Sequence, residues 1–137
     1  MCIRDSLNSL DKNGLEVFQQ ILEFAKQKGL MLRWGAKGFS LNVELDAGFV
    51  ALFFGYPPSS VFKQSIYTGF EEIIRKVNDP EKIVELYKER LVNLGYFIKA
   101  QSNLKWVIDK AYSKNDVKQF LDIIEEIVSK IKEKGLK

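Results

Sequence analysis

The residues of this chain best suited to holding an anion surround the tight turn Arg33-Trp34-Gly35-Ala36-Lys37-Gly38. Arg33 and Lys37 are cations, and Trp34 adds a flat indole ring between them. Such a group can bind a nucleotide, because the cations attract the phosphate while the ring stacks on the base. In the alternative interpretation, Trp34 points into the core and the two cations are ordinary surface charges.

A second candidate anion site follows in the sequence Gly55-Tyr56-Pro57-Pro58-Ser59-Ser60. If a helix begins after the prolines, its free amides and its dipole attract anions, and the hydroxyls of Ser59 and Ser60 can help. Lys63 would lie one turn further along and could face the same ligand. The spacing is not that of a Walker phosphate loop. Serines at this position are also common as plain helix caps, so both interpretations stay open.

The residue types present limit what catalysis the chain could perform. It has no histidine, and its one cysteine is Cys2, close to the start. Histidine-based acid–base pairs, thiol nucleophiles outside that position, disulfides and zinc fingers are thereby excluded. The remaining enzymatic alternative is a small enzyme that works through tyrosine, serine, lysine or carboxylates. Tyr56, Ser60 and Lys63 lie near the predicted helix start, and a lysine of lowered pKa beside a hydroxyl would be needed.

Carboxylate pairs suited to a metal are also missing from the pattern. Glu71-Glu72 and Glu125-Glu126 are each adjacent on predicted helices, so the two side chains of a pair point apart. We therefore expect no metal and no cofactor.

Both candidate sites lie in a segment of unusual composition, residues 30–70. Its 41 residues include only five charged side chains but nine of the 17 aromatic residues. One interpretation is the densest part of the core, since aromatic residues bury large areas. The other is a pocket or partner surface with aromatic walls, and oligomerisation through this segment is a further alternative.

Hydrophobic spacing and turn residues predict the elements that must position these side chains. Gly69 interrupts one predicted helix, and the close approach of another backbone or of a ligand would each explain a glycine there. The predicted elements are a helix over about 14–28, strands over 30–34, 39–45 and 49–56, a helix from Ser59 or Ser60 to Val77, a helix from Pro80 to Gly95, a hairpin over 96–99 and 104–108, and a helix from Ser113 or Asn115 to Gly135.

The resulting order, α-β-β-β-α-α-β-β-α, groups strands with strands and helices with helices. Grouping of this kind predicts an α+β fold, a two-layer sandwich in which helices pack on an antiparallel sheet. We expect the second hairpin to join the first three strands in one sheet, although local pattern does not require it.

Residues 1–6, Met-Cys-Ile-Arg-Asp-Ser, match the translation of a transposon-end adapter used to prepare sequencing libraries. We interpret them as a sequencing-adapter scar that takes no part in folding. Residues 7–137 are then expected to form a single α+β domain, the C-terminal module of a longer prokaryotic or phage protein with a truncated N-terminus. No apolar run approaches the roughly 18 residues of a membrane span, and no leader is recognisable, so we expect a cytoplasmic protein.

The net charge of +3 lies mainly in residues 110–137, which hold seven lysines against five acidic residues. A nucleic-acid-binding domain usually clusters its cations more strongly, so charge alone supports nucleic acid only weakly. We expect a non-catalytic binding or accessory domain that recognises a partner domain, an anionic ligand or nucleic acid through the 33–38 turn and the 56–63 segment. The missing upstream domain is itself a candidate partner.

Overall fold

A computed structural model describes residues 12–35, 38–56, 65–108 and 112–136 of the chain. Within these ranges the α+β fold class predicted from the grouping of elements is confirmed. None of the described helices is long and apolar enough to cross a membrane. The helices are α1 (Lys12–Lys28), α2 (Phe70–Lys76), α3 (Pro80–Leu94) and α4 (Lys114–Lys134); the strands are β1 (Met31–Trp34), β2 (Phe39–Leu45), β3 (Gly48–Tyr56), β4 (Ser65–Thr68), β5 (Ile98–Ala100) and β6 (Asn103–Val107).

The six strands form one antiparallel sheet in the order β1-β2-β3-β4-β6-β5. Strands β1 to β4 pair in chain order. Strand β6 then pairs with β4, which places the C-terminal hairpin at the far edge of the sheet with β5 outermost. The expected single sheet is therefore confirmed, with one strand more than we predicted.

The additional strand is β4, and the helix predicted from Ser59 or Ser60 to Val77 is wrong over residues 65–69. The helix α2 begins only at Phe70, and residues 57–64 lie outside the described part of the chain. Apolar residues in this stretch fit a helical stripe, but short apolar runs fit strands equally well. Residues 65–68 form a strand because they pair with β3 on one side and β6 on the other. These pairs provide hydrogen-bond partners for the backbone amides and carbonyls of β4 on both edges.

The long helices α3 and α4 start where their sequence signals predict. Pro80 is the first residue of α3, directly after Asp79. Ser113 caps α4 and forms a capping box in which its hydroxyl accepts from the Asp116 amide and the Asp116 carboxylate accepts from the Ser113 amide. The capping box satisfies amides that the start of a helix leaves unpaired, and Pro80 has no amide that needs a partner. Both helix starts are therefore determined by the residues at the start itself.

Aromatic contacts join the helices to one face of the sheet. The ring of Phe39 on β2 meets Phe18 of α1 with centroids 5.4 Å apart. On the same face, Phe53 of β3 and Trp106 of β6 lie 5.1 and 5.7 Å from Phe120 of α4. All five rings are almost fully buried. Each such ring pair contributes about 0.5–1.5 kcal/mol to stability beyond the effect of the area it buries. The main core therefore lies on this face of the sheet.

A bulge in β3 gives the other two helices their attachment point. The pairing of β2 with β3 shifts register between Leu41 and Asn42, so Leu52 has no partner in that ladder. The Leu52 carbonyl accepts instead from the buried Tyr87 hydroxyl of α3 (3.1 Å) and from the Gly69 amide that precedes α2 (3.2 Å). Burial raises the pKa of the Tyr87 phenol, so it stays protonated and can donate.

The contact between β3 and the turn before α2 also explains why residue 69 is a glycine. A Cβ atom at this position would lie 3.1 Å from the ring of Phe54 and 3.3 Å from the carbonyl oxygen of Ala51. Of the two explanations open from sequence, the structure favours close approach of another part of the chain. Glycine permits the turn from β4 into α2 to pass directly against β3.

A buried polar group joins β4 to β6 just past their last paired residues. The Thr68 hydroxyl accepts from the Leu104 amide (3.0 Å) and donates to the Asn103 side-chain oxygen (3.1 Å). That oxygen also accepts from the Phe70 amide at the start of α2 (3.2 Å). Thr68 therefore joins β4 to β6, and Asn103 extends this connection to the start of α2.

Replacing Thr68 with valine should destabilise the protein by about 2 kcal/mol, because the buried Leu104 amide loses its acceptor without a change in side-chain shape. Thr68→Ser keeps the hydroxyl and is the matched control, with an expected loss of about 1 kcal/mol or less. The free energy of unfolding in urea measures both. Equal stability of the two variants would contradict the role assigned to the hydroxyl.

Candidate functional site

The sheet face opposite the helix-contacting rings carries a line of side chains that crosses all six strands. Paired residues on neighbouring strands point to the same side of a sheet, and successive residues of one strand point to opposite sides. The register therefore aligns six residues, which we name the cross-sheet row: Arg33, Ser40, Phe54, Tyr67, Lys105 and Ile98. With strands about 4.8 Å apart, the row is about 24 Å long.

The row is accessible along its length. Arg33 and Ile98 at its two ends are exposed, and the four residues between them are partly exposed. A cation near one end and a second cation near the other, Arg33 and Lys105, enclose the rings of Phe54 and Tyr67. This order of side chains is unlike the opposite face, where the rings are closed off by helices.

Tyr56 widens the aromatic part of the row. Its ring lies 5.5 Å from that of Tyr67, almost perpendicular to it. Partial burial, and secondarily the neighbouring Tyr67, raises the pKa of the Tyr56 phenol. Its hydroxyl is therefore neutral and able to donate a hydrogen bond at physiological pH.

Both sequence-predicted segments reach an open depression of about 510 Å³ at the β1–β3 end of the row. Of the seven predicted site residues, Arg33, Trp34 and Tyr56 line it together. The other four, Lys37, Ser59, Ser60 and Lys63, lie outside the described residues. Ser40 and Phe54 also line the depression. Two segments far apart in sequence meet there because β1, β2 and β3 are neighbours in the sheet.

Trp34 does not belong to the row itself. It pairs with Phe39, and the two ring centroids lie 5.2 Å apart with the indole partly buried. The inward alternative for this residue is thus favoured, and Trp34 forms the wall where the depression meets the core. Within the depression, the flat surfaces on the row side are the rings of Phe54 and Tyr56.

Sequence reasoning missed Phe54, Tyr67 and Lys105 as members of the surface. The helix predicted from Ser59 or Ser60 to Val77 contains Tyr67, and a helical Tyr67 would not share a face with the strand residues. No alternation in Ser65-Ile66-Tyr67-Thr68 could have found it, because apolar and polar types do not alternate there and Ser65, Ile66 and Thr68 are all buried. In β6, by contrast, apolar Leu104 and Trp106 alternate with Asn103 and Lys105, and this pattern could have placed Lys105 on the exposed face.

Phe49 holds Arg33 in position. The guanidinium carbon of Arg33 lies 4.6 Å from the centre of the Phe49 ring, and the Lys76 ammonium lies 4.7 Å from it. Lys76 also donates to the Phe49 carbonyl (3.1 Å) and pairs with Glu72 (2.6 Å). A cation resting on a ring retains fewer conformations, so Arg33 is partly ordered before any ligand arrives.

Comparison of the chain with protein-family models, curated proteins and solved structures yields no match. Within the described ranges, no three Asp, Glu, His or Cys residues are grouped so that they could hold a metal ion. Of the hypothetical catalytic group, only Tyr56 is described, and the enzymatic alternative stays a prediction. Function must therefore be argued from the accessible face itself.

Two glycines let β2 and β3 approach closely beneath the depression. A Cβ atom at Gly38 would collide with the carbonyl oxygen of Gly55, and one at Gly55 would collide with the ring of Phe39. Gly35, in contrast, has room, since its Cβ would lie 3.7 Å from the Gly38 oxygen.

Gly38→Ala is therefore expected to cost about 2 kcal/mol or more, since backbone atoms must separate to admit the methyl group. Gly35→Ala is the matched control in the same turn and should be neutral or slightly stabilising. Urea unfolding of the two variants tests this. The close packing under the depression would be refuted if Gly38→Ala were as stable as Gly35→Ala.

The Glu72–Lys76 pair beside Phe49 makes stability depend on pH. Partial burial acts to raise the pKa of Glu72, but the Lys76 hydrogen bond and charge, the Ala51 backbone and the Arg75 charge outweigh it and leave the pKa lowered. A carboxyl with a lowered folded-state pKa stabilises the fold above its unfolded value, about 4.3, and loses that contribution as the pH falls.

We expect wild type to exceed Glu72→Gln in unfolding free energy by up to about 1 kcal/mol at pH 7. The difference should shrink as the pH drops below about 4, where the folded-state carboxyl becomes protonated. Glu89→Gln, on the exposed side of α3, controls for the loss of one charge. A difference that is constant from pH 7 to pH 3 would rule out this linkage.

Proposed function

We propose that this protein is a non-catalytic binding domain and that the depression at the β1–β3 end of the cross-sheet row binds a nucleotide unit. The observation behind the proposal is the juxtaposition of Arg33, Ser40 and the rings of Phe54 and Tyr56 around one depression. These groups supply a cation, a hydroxyl and flat apolar surfaces. A phosphate joined to a base needs all three.

Arg33 is the group suited to the phosphate. It is exposed, and its planar guanidinium can donate two parallel hydrogen bonds to phosphate oxygens. Its guanidinium lies against the ring of Phe49, which pairs with Glu44, four positions along β2 from Ser40, so the flexible side chain turns from that ring to meet a phosphate in the depression.

Ser40 is oriented to act as a second donor. The Asn42 side-chain amide donates to the Ser40 hydroxyl oxygen at 3.1 Å. Asn42 itself is held by the carbonyls of Met31 and Ser40. A hydroxyl that accepts one hydrogen bond keeps its own hydrogen for another partner, so Ser40 can donate to a ligand in the depression.

Phe54 and Tyr56 provide the surface for the base. They stand two residues apart on β3 and therefore on the same side of the sheet. Stacking on an aromatic side chain contributes about 1–3 kcal/mol per base and accepts every base, which suits a ligand recognised by shape and charge. The alternatives in which this face binds a partner domain or a second copy predict that a nucleotide does not bind.

The test is titration with nucleoside 5′-monophosphates followed by nuclear magnetic resonance. Arg33→Ala should weaken binding about tenfold, since one charge-assisted hydrogen-bonding group contributes about 1.5 kcal/mol. Arg90→Ala on α3, which removes the same charge from the Arg90–Glu126 pair, should leave affinity unchanged. Lys37→Ala and Lys63→Ala test whether the two neighbouring segments add to the site.

The proposal fails if no resonance of the β1–β3 end shifts on titration. It also fails if Arg33→Ala binds as wild type does. A sedimentation experiment that shows self-association abolished by Phe54→Ser would instead support the oligomerisation alternative.

A further inference from the structure

The cross-sheet row continues well beyond the nucleotide depression. We infer that its ligand is single-stranded nucleic acid, bound along the row as a track, instead of a free nucleotide. This inference rests on the proposed function and names the ligand class of the same site. Its basis is the half of the row on β4 and β6, which does not line the depression.

The second half of the row repeats the chemistry of the first. Tyr67 lies directly across from Phe54 in the register and supplies a second partly exposed ring. Lys105 lies across from Tyr67, with its ammonium 5.9 Å from the centre of that ring. Each half of the row thus combines one cation with one aromatic surface.

The separation of the two cations excludes a mononucleotide as a ligand for both. Arg33 and Lys105 are four strand spacings apart, about 19 Å between their backbones. An extended single strand of nucleic acid carries a phosphate at every nucleotide. Its phosphates can therefore reach both cations while consecutive bases lie on Phe54, Tyr56 and Tyr67. A base must be unpaired to stack on a side chain, which favours a single strand over a duplex.

Charge on this side of the sheet agrees with a polyanion. The described acidic residue at a row-side position of the strands is Glu44, two positions beyond Asn42, and it pairs with Phe49, the residue whose ring the Arg33 guanidinium contacts. Glu72, near Phe49, is paired with Lys76 and Arg75. Between Arg33 and Lys105 the row consists of Ser40, Phe54 and Tyr67, and none of these described side chains carries a negative charge at neutral pH.

The primary measurement is fluorescence anisotropy with a labelled oligothymidylate of about ten nucleotides. This length lies within the number of nucleotides that single-strand-binding domains cover. Wild type should bind it at least tenfold more tightly than thymidine 5′-monophosphate. If two phosphates are neutralised, log K should fall with log salt concentration with a slope of about −1.4, and Lys105→Ala should halve that slope.

Lys105→Ala should weaken oligonucleotide binding about fivefold to tenfold and leave monophosphate affinity unchanged. Lys99→Ala is the matched control, because Lys99 is an exposed lysine on the adjacent β5 but pairs with Leu104 and so points to the other side. Tyr67→Leu should weaken oligonucleotide binding about tenfold, whereas Tyr67→Phe keeps the ring and should bind as wild type. Circular dichroism and thermal unfolding verify that each variant is folded.

The possible outcomes separate this inference from the proposed function. If the monophosphate binds but the oligonucleotide is no tighter, or if Lys99→Ala weakens it as much as Lys105→Ala, the track is wrong and the depression stands. Equal affinity for a duplex of the same length would also overturn the track. If neither ligand binds, the proposed function itself is wrong.

Discussion

The continuous register of the sheet is the constraint on which the accessible face depends. A slip of one residue in any strand would move its side chains to the opposite face. Phe54, Tyr67 and Lys105 would then enter the core, and buried residues such as Ile66 and Trp106 would be exposed. Burial of Ile66 and Trp106 against the helices therefore keeps Phe54, Tyr67 and Lys105 aligned on the opposite face.

Three local devices hold this register. The bulge at Leu52 is secured by the Tyr87 hydroxyl and the Gly69 amide. The Thr68 hydroxyl ties β4 to β6. Close contact between Gly38 and Gly55 sets β2 against β3 at the depression. Each device lies at the end or the bend of a ladder, where backbone pairing alone would permit a shift.

The aromatic residues on the two faces of the sheet differ in burial and in the groups they contact. On the helix side, rings such as Phe53, Trp106 and Phe120 are fully buried and stabilise the fold. On the row side, rings stay partly exposed and lie near cations, as in the contacts of Arg33 with Phe49 and of Lys105 with Tyr67. The core interpretation of the aromatic-rich segment 30–70 therefore holds for the helix side of the strands, and the partly exposed rings of the other side are those on which the proposed binding surface depends.

The sequence by itself determined those features whose cause is local. The alternation in β2 and the helix signals around Pro80 and Ser113 predicted their elements, because turn residues, caps and periodicity act over a few neighbours. The grouping of elements predicted the α+β class, and cation and ring types marked Arg33 and Tyr56. Only the tertiary structure decided that residues 65–68 form a strand, since their hydrogen bonds go to β3 and β6, strands separate from them in sequence. It also decided that Arg33, Phe54, Tyr67 and Lys105 share one line, because cross-strand register is a long-range property that no local pattern contains.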